Sequence, residues 1–417
     1  MKRQDLKADH CNGLLLTGGG ARAAYQAGVL EAIADIRKAC GVTQGASPFQ
    51  VITGTSAGAI NAAALAVGAD DFDGAVRRLA DVWRNFHADQ VYRSDVLGVM
   101  RAGARWLSLL SVGWVLAQWW RLRPRSLLDN APLHDLLRGL IPLQRLPNLI
   151  RRGHLQALSV SASSYSSGQH VDFYQGSANL QPWRRSQRYA VRDRITHEHL
   201  LASAAIPFIF PATPLTMDQG RIEYFGDGSM RKSAPIAPAI HLGAQRIVVV
   251  GAGRMNEPDA QISAYTSSGY PSLAQIAGHA MSSIFLDGLS VDVERVQRIN
   301  RTLALVPEQA LDGSALRPVQ LLVISPSQRL DAIAARHVGA LPVMIRALLA
   351  ALGVSAEPSQ AREAALASYL LFEAPYTQEL MALGYADTCA QQDELRRFFG
   401  WPEPRTTVAP PQLARAA

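Results

Sequence analysis

Three short segments hold the residue types and spacing that acyl-transfer chemistry needs. The first is Gly54-Thr55-Ser56-Ala57-Gly58, a G-x-S-x-G pentapeptide. It follows a short apolar run at 49–53 and opens a helical stretch through 61–67. In a strand-turn-helix setting such a serine occupies a strained turn, with its hydroxyl exposed above the sheet. Gly54 and Gly58 are needed because side chains there would collide with the neighbouring strand or helix. The helix start also turns backbone N–H groups and the positive end of its dipole toward an anion.

The second segment is Gly18-Gly19-Gly20-Ala21-Arg22, between an apolar run at 13–17 and a helical stretch at 21–33. Glycines let the backbone approach a bound oxygen closely. A dinucleotide fingerprint would need a sixth-position glycine and an acidic residue ending the next strand. Here Ala23 holds the sixth position, and Glu31 and Asp35 fall within the helix. An oxyanion hole fits better, and one such donor is worth on the order of 10²–10³ in rate. A plain glycine turn is the other reading.

The third segment supplies a base, since a serine hydroxyl is a weak nucleophile without a proton acceptor. A Ser-His-Asp enzyme would use a late histidine oriented by an acid. The sequence has 10 histidines; His197, His199, His241, His279 and His337 have no telling context, and His279 lies in a helical stretch. Asp227 follows a strand and is flanked by Gly226 and Gly228, which free the backbone to aim its carboxylate. Taken alone, it also reads as an ordinary turn aspartate.

Strand, helix, strand, helix over 13–67 argues for a mainly parallel sheet covered by helices. Further strands are expected at 155–163, 169–174, 221–225, 246–250 and 320–324. Helices are expected at 71–86, 132–140, 196–205 and 272–301, with the chain after 334 helical. No internal repeat or convincing linker interrupts it. The expected organisation is a catalytic α/β domain over 13–330, a helical extension over 331–405 packed on it, and a loose tail at 406–417.

With 417 residues, 48% hydrophobic and 18% charged, the composition is globular and well supplied for a core. The net charge of +7 comes mostly from clustered arginines, including Arg121, Arg123, Arg125, Arg184, Arg185, Arg188, Arg192 and Arg194. Such a patch attracts phosphates of nucleic acid or of anionic lipid, or simply solubilises the surface. No helix-turn-helix, zinc-finger or RNA-binding signature accompanies it, so nucleic acid is not the expected partner. Cys11, Cys40 and Cys389 are too widely spaced for a metal or disulfide pattern. The polar start has no signal-peptide run, so a cytoplasmic location is expected. Residues 106–120 read WLSLLSVGWVLAQWW between arginines. That is short for a bilayer span, but suits an interfacial contact over 106–125 within an insertion near 98–125; a buried helix or a lid is the alternative.

Together these pieces resemble the patatin-like phospholipases, especially bacterial members. The order is right: the glycine turn at Gly18–Arg22, then Gly-Thr-Ser-Ala-Gly, then Asp227-Gly228. Between them, residues 202–211 (ASAAIPFIFP) look like the family's Ala-Ser-x-Ala-x-Pro segment, and residues 126–133 (SLLDNAPL) are similar to another. Residues 368–376 and 383–387 resemble the helical tail of bacterial members. The resemblance implies a three-layer sandwich and a Ser-Asp dyad without catalytic histidine. Ser56 would attack a lipid ester, Asp227 would take its proton, and Gly18, Gly19, Gly20 and Ala21, with Arg22 nearby, would form the oxyanion loop. No metal or cofactor is implied; the implied partner is a lipid substrate, with peripheral contact at the inner membrane surface. An acyltransferase of the same mechanism, a Ser-His-Asp hydrolase and a non-catalytic membrane scaffold are the alternatives. Two positions depart from the family pattern: Ala23 where glycine is usual, and Ser229 where glycine or alanine is usual.

Overall fold

The computed structural model describes residues 10–42, 45–93, 126–255, 272–307, 311, 316–351, 353–354 and 364–404. Ten strands join in one sheet: β1 Asn12–Leu16, β2 Val51–Thr55, β3 Ala157–Ser164, β4 His170–Gly176, β5 Arg184–Arg185, β6 Arg188–Arg192, β7 Thr213–Thr216, β8 Ile222–Asp227, β9 Arg246–Val250 and β10 Gln320–Ile324. The described helices include α1 Ala24–Ala39, α2 Ala57–Ala66, α3 Phe72–Arg84, α4 Ala131–Leu140, α5 Leu146–Arg151, α6 His197–Ser203, α7 Ala237–His241, α8 Leu273–Ser282 and α9 Gly288–Leu303. Beyond β10 follow α10 Leu330–His337, α11 Val343–Ala351, α12 Ala364–Ala367, α13 Ala374–Ala390 and α14 Gln392–Phe399.

Strands β10, β9, β1, β2 and β3 lie side by side in that order, all parallel. Their runs (LLL, VITGT, RIVVV, QLLVI) are apolar because helices cover both faces, as parallel sheets require. Alternation sorts the side chains: Leu14, Leu16, Ile52, Val248 and Val250 join one core cluster, while Leu15, Val51, Ile247 and Val249 join the other. The first cluster is covered by α1, α2 and α3, the second by α7 and α9. The expected mainly parallel three-layer sheet is therefore present. The other half reverses direction: β3–β4, β3–β8, β7–β8 and β5–β6 are antiparallel, while β4–β6 is parallel. The chain runs outward from β1 through β2 and β3, and later returns on the opposite side of β1 as β9. Open α/β sheets place ligands at the strand C-termini beside such a reversal.

Expected elements are found with boundary shifts, and β9 and β10 fall on their expected residues. The helix expected from Ala21 begins at Ala24, because Gly20–Ala23 wind as a 3-10 turn. The long helix expected over 272–301 is interrupted by a π-turn at Ser283–Asp287. Strands β5, β6 and β7 were not anticipated, since two are short and β6 is masked by its arginines. Part of that basic cluster is structural: the Arg192 guanidinium donates to the carbonyls of Ser177 and Ala178 at 2.9 and 3.2 Å. The tryptophan-rich segment and the tail at 406–417 lie outside the described residues.

Helix α13 crosses α1 at backbone contact. A methyl on Gly28 would run into the Met381 carbonyl, and one on Gly384 into the Tyr25 carbonyl. The Tyr25 hydroxyl donates to Asp387 on α13 at 3.0 Å. Because backbone cannot move aside as a side chain can, Gly384→Ala is expected to lower unfolding stability by about 1–3 kcal/mol. Urea unfolding measures it, and an unchanged midpoint would mean that the helices do not meet this closely.

Candidate active site

The register of three strands brings the chemistry together. Along β3, Ser161 pairs with Thr55 at the end of β2, and the next residue, Ala162, pairs with Asp227 at the end of β8. Strands β2 and β8 therefore meet end to end against one edge of β3. Successive strand positions are only about 3.3 Å apart, so the residue leaving β2, Ser56, and the residue ending β8, Asp227, become neighbours.

Ser56 sits at φ 56° and ψ −133°, in the left-handed region that costs a non-glycine residue on the order of 1–3 kcal/mol. Tight surroundings hold it there. A Cβ on Gly54 would enter the backbone of Gly58, and one on Gly58 would enter the carbonyls of Leu16 and Thr17. The Ser56 amide donates to the Ser203 hydroxyl at 2.8 Å, and that hydroxyl donates to the Ser161 carbonyl at 2.6 Å. No side chain caps α2, which leaves its first amides and its dipole facing the turn.

Asp227 is fully buried, and Ser56 is only 1% exposed. The Asp227 Oδ1 accepts the Ser229 amide at 2.8 Å, whereas Oδ2 is buried without a well-formed hydrogen bond. The Ser56 hydroxyl is nonetheless close enough to act on the carboxyl as a donor. The pair is adjacent but not tightly bonded, as free-enzyme catalytic contacts often are. Burial pushes the Asp227 pKa up to about 6, against the pull of Ser56, Ser229 and the Lys232 charge.

The glycine loop lies beside this pair. Gly20, at φ 55°, lines the same cavity as Ser56. No acceptor among the described residues takes the amides of Gly19 and Gly20. The Ala21 amide, by contrast, donates to the Tyr369 carbonyl at 3.0 Å, and that of Arg22 to the Gly19 carbonyl at 3.1 Å. Of the expected loop donors, Ala21 is thus already engaged and Gly19 and Gly20 are open. Arg22 is buried under the C-terminal segment: its Nε donates to the Ser368 hydroxyl at 2.8 Å, and its guanidinium lies 4.1 Å from the Tyr369 ring centroid. Gly18 packs against Ser229 and Phe285 with no room for a methyl. Ala23 has helical angles, φ −67° and ψ −8°, so the family departure there introduces no strain. Its carbonyl accepts from Asn61, which also bonds Gln26 and Trp83.

Above Ser56 opens a cavity of about 580 Å³, mostly apolar, walled by residues such as Ile60, Leu79, Leu133, Leu137, Ile206 and Phe210. Asp70, Arg78 and Arg145 also line it, and Arg145 pairs with Asp70 at 2.8 Å. None of the described lining residues is histidine. The candidate imidazoles are committed elsewhere: His197 bonds the Ile141 carbonyl, His199 sits in the cap of α6, His241 stacks on Trp183, His337 meets Glu379, and His279 is exposed on α8.

Sequence reasoning missed Ser203, Ser161, Lys232 and the Ser368-Tyr369 pair. A signal existed for Ser203, which is the serine of the 202–211 segment. For Lys232 there was none, because nothing in its sequence surroundings marks its ammonium as sunk among carboxylates.

A mainly parallel sheet with its reacting groups gathered at strand C-termini defines the class. Residues 14–240, more than half of the chain, match the patatin-like phospholipase profile, and the chain belongs to that family, one of lipid acyl hydrolases. No curated protein matches the sequence. Solved structures similar to it include VipD from Legionella pneumophila, at 13% identity over 90% of this chain and 67% of that one, with a TM-score of 0.33. The type III effector ExoU aligns at 15% identity over 93% and 88%, TM-score 0.28. Pseudomonas aeruginosa ExoU in complex with SpcU aligns at 14% over 89% and 70%, TM-score 0.25. Among the described residues no helix is long and apolar enough to cross a membrane.

A carboxylate works as a base only when ionised. With the Asp227 pKa near 6, kcat/KM on a soluble ester should be flat above about pH 7. It should fall tenfold per unit well below pH 6. Initial rates from pH 4.5 to 9 test this, and an acid limb near 4 would contradict the burial of Asp227.

Proposed function

We propose that the protein hydrolyses carboxylic esters of lipids through an acyl-serine intermediate on the Ser56–Asp227 dyad. One arrangement carries the reading: a strained serine at the floor of an apolar cavity, with a buried carboxylate behind it and no lining histidine among the described residues. The cavity suits an acyl chain, since apolar walls give up nothing by excluding water. In the first half-reaction Ser56 Oγ attacks the carbonyl carbon while its proton passes to Asp227. The carbonyl oxygen becomes an oxyanion facing the Gly19 and Gly20 amides, and the helix dipole of α2 adds to their pull. Collapse breaks the bond to the alcohol oxygen, which leaves with the proton from Asp227. Water then repeats the sequence on the acyl-serine, giving up a proton to Asp227 and releasing the fatty acid. A lipid alcohol could replace water by the same steps, making the enzyme a transacylase. Product analysis with and without added glycerol separates the two.

The test is a phospholipid and neutral-lipid panel read by mass spectrometry with wild type and three variants. Ser56→Ala and Asp227→Asn are each expected to lose fatty-acid release by roughly 10³-fold or more, while His279→Ala stays at the wild-type rate. Full activity in Ser56→Ala would end the proposal. Retained activity in Asp227→Asn with loss in His279→Ala would assign the base to histidine.

A further inference from the structure

Lys232 lies five residues past Asp227, and none of the steps above uses it. Its stem keeps some contact with solvent, but its ammonium points inward and donates to the hydroxyls of Thr55 and Ser161, the latter at 2.9 Å. These two residues face each other across the β2–β3 ladder, one position below the pairing of Ala162 with Asp227. A single cation thus ties together the three strand ends that set the dyad: β2, which delivers Ser56, β3, and the turn leaving β8.

The charges around it are unbalanced. Strand β4 presents Asp172, whose Oδ1 accepts from Ser161 at 2.6 Å and lies 3.3 Å from His170 Nε2. Strand β8 presents Asp227, and α9 presents Asp292, bonded to Arg295 at 2.9 Å. Arg185 and Arg188 of the β5–β6 hairpin and His241 of α7 line the small cavity on its outer side. Burial would push the Asp172 carboxyl up, but His170, Lys232 and Ser161 outweigh it and hold it low. Burial brings the Lys232 pKa down to about 8, while Asp172, Asp227 and Asp292 resist that fall, so the ammonium is charged at neutral pH.

We infer that Lys232 is a positioning residue for the dyad, stapling the strand junction and holding the Asp227 carboxylate ionised at neutral pH by its charge. The inference rests on the dyad reading. Without the cation, the burial of Asp227 would be opposed by Ser56 and Ser229 alone, so its proton affinity would rise. Loss of an opposite charge near a carboxylate shifts its titration upward.

The experiment compares wild type, K232Q, K232M and D227N by kcat/KM on p-nitrophenyl butyrate from pH 5 to 9.5. Glutamine can still donate to both hydroxyls but carries no charge. K232Q is expected to move the acid limb upward, a loss of rate at pH 5.5 that vanishes by pH 9, with KM unchanged. K232M should show the same shift. A K232Q profile that superimposes on wild type, or a loss equal at every pH, overturns the role. If K232Q unfolds, shown by its melting temperature, the limb of K232M decides in its place. D227N separates the two ideas: its full activity would sink the dyad whatever Lys232 does, whereas an inert D227N beside an unshifted K232Q sinks only the Lys232 assignment.

Discussion

Close packing of backbone at the end of β2 is the constraint on which the site depends. Ser56 is held at a positive φ because Gly54 abuts Gly58, Gly58 abuts the carbonyls of Leu16 and Thr17, and Gly228 abuts that of Ser161. Any side chain at these three glycines would push apart the strand ends, and the turn would relax toward ordinary geometry. The strain at Ser56 is small beside what those contacts enforce. It lifts the hydroxyl out of the sheet while β3 draws Asp227 to its side through one step of register.

A buried carboxylate without an imidazole follows from the same crowding. Strand β8 ends where β2 ends, so the carboxylate proposed as the base comes from the sheet itself. Burial then does the tuning that histidine's intrinsic proton affinity does in a triad. A carboxyl raised to about 6 is basic enough to accept a hydroxyl proton in the transition state and still ionised at neutral pH.

Much of this was legible in the sequence. Short, mostly apolar runs located β1, β2, β9 and β10, because parallel strands covered by helices on both faces are dominated by apolar residues. The glycine spacings at 18–20, 54–58 and 226–228 located the three turns that meet at the site, because a side chain there would strike backbone, as at Gly20, Gly54, Gly58 and Gly228, or a packed side chain, as at Gly18 and Gly226. What stayed hidden depends on distant pairing. The β5–β6 hairpin is written in arginines that snorkel outward or bond carbonyls, so its strand character is masked. The engagement of the Ala21 amide by Tyr369 links residues 348 positions apart, and no local pattern announces it. The histidines gave no signal: His197 and His337 bond residues far along the chain, and His279 is exposed on α8.

The helices beyond β10 are more than an appended layer. Their approach to α1 is set by Gly28 and Gly384, and the segment between α12 and α13 carries Ser368 and Tyr369 to the underside of the glycine loop. Tyr369 takes the Ala21 amide, its ring covers the Arg22 guanidinium, and it stacks on Phe285 at 5.0 Å between centroids. A methyl on Gly20 would strike the Tyr369 carbonyl. With Ala21 and Arg22 so pinned, the loop has little freedom left except at Gly19 and Gly20, the two amides with no acceptor among the described residues. Phe372 from the same segment also lines the cavity. The glycine loop is therefore shaped from outside the stretch that matches the family profile, and removing the C-terminal helices would free the loop as well as uncover part of the core.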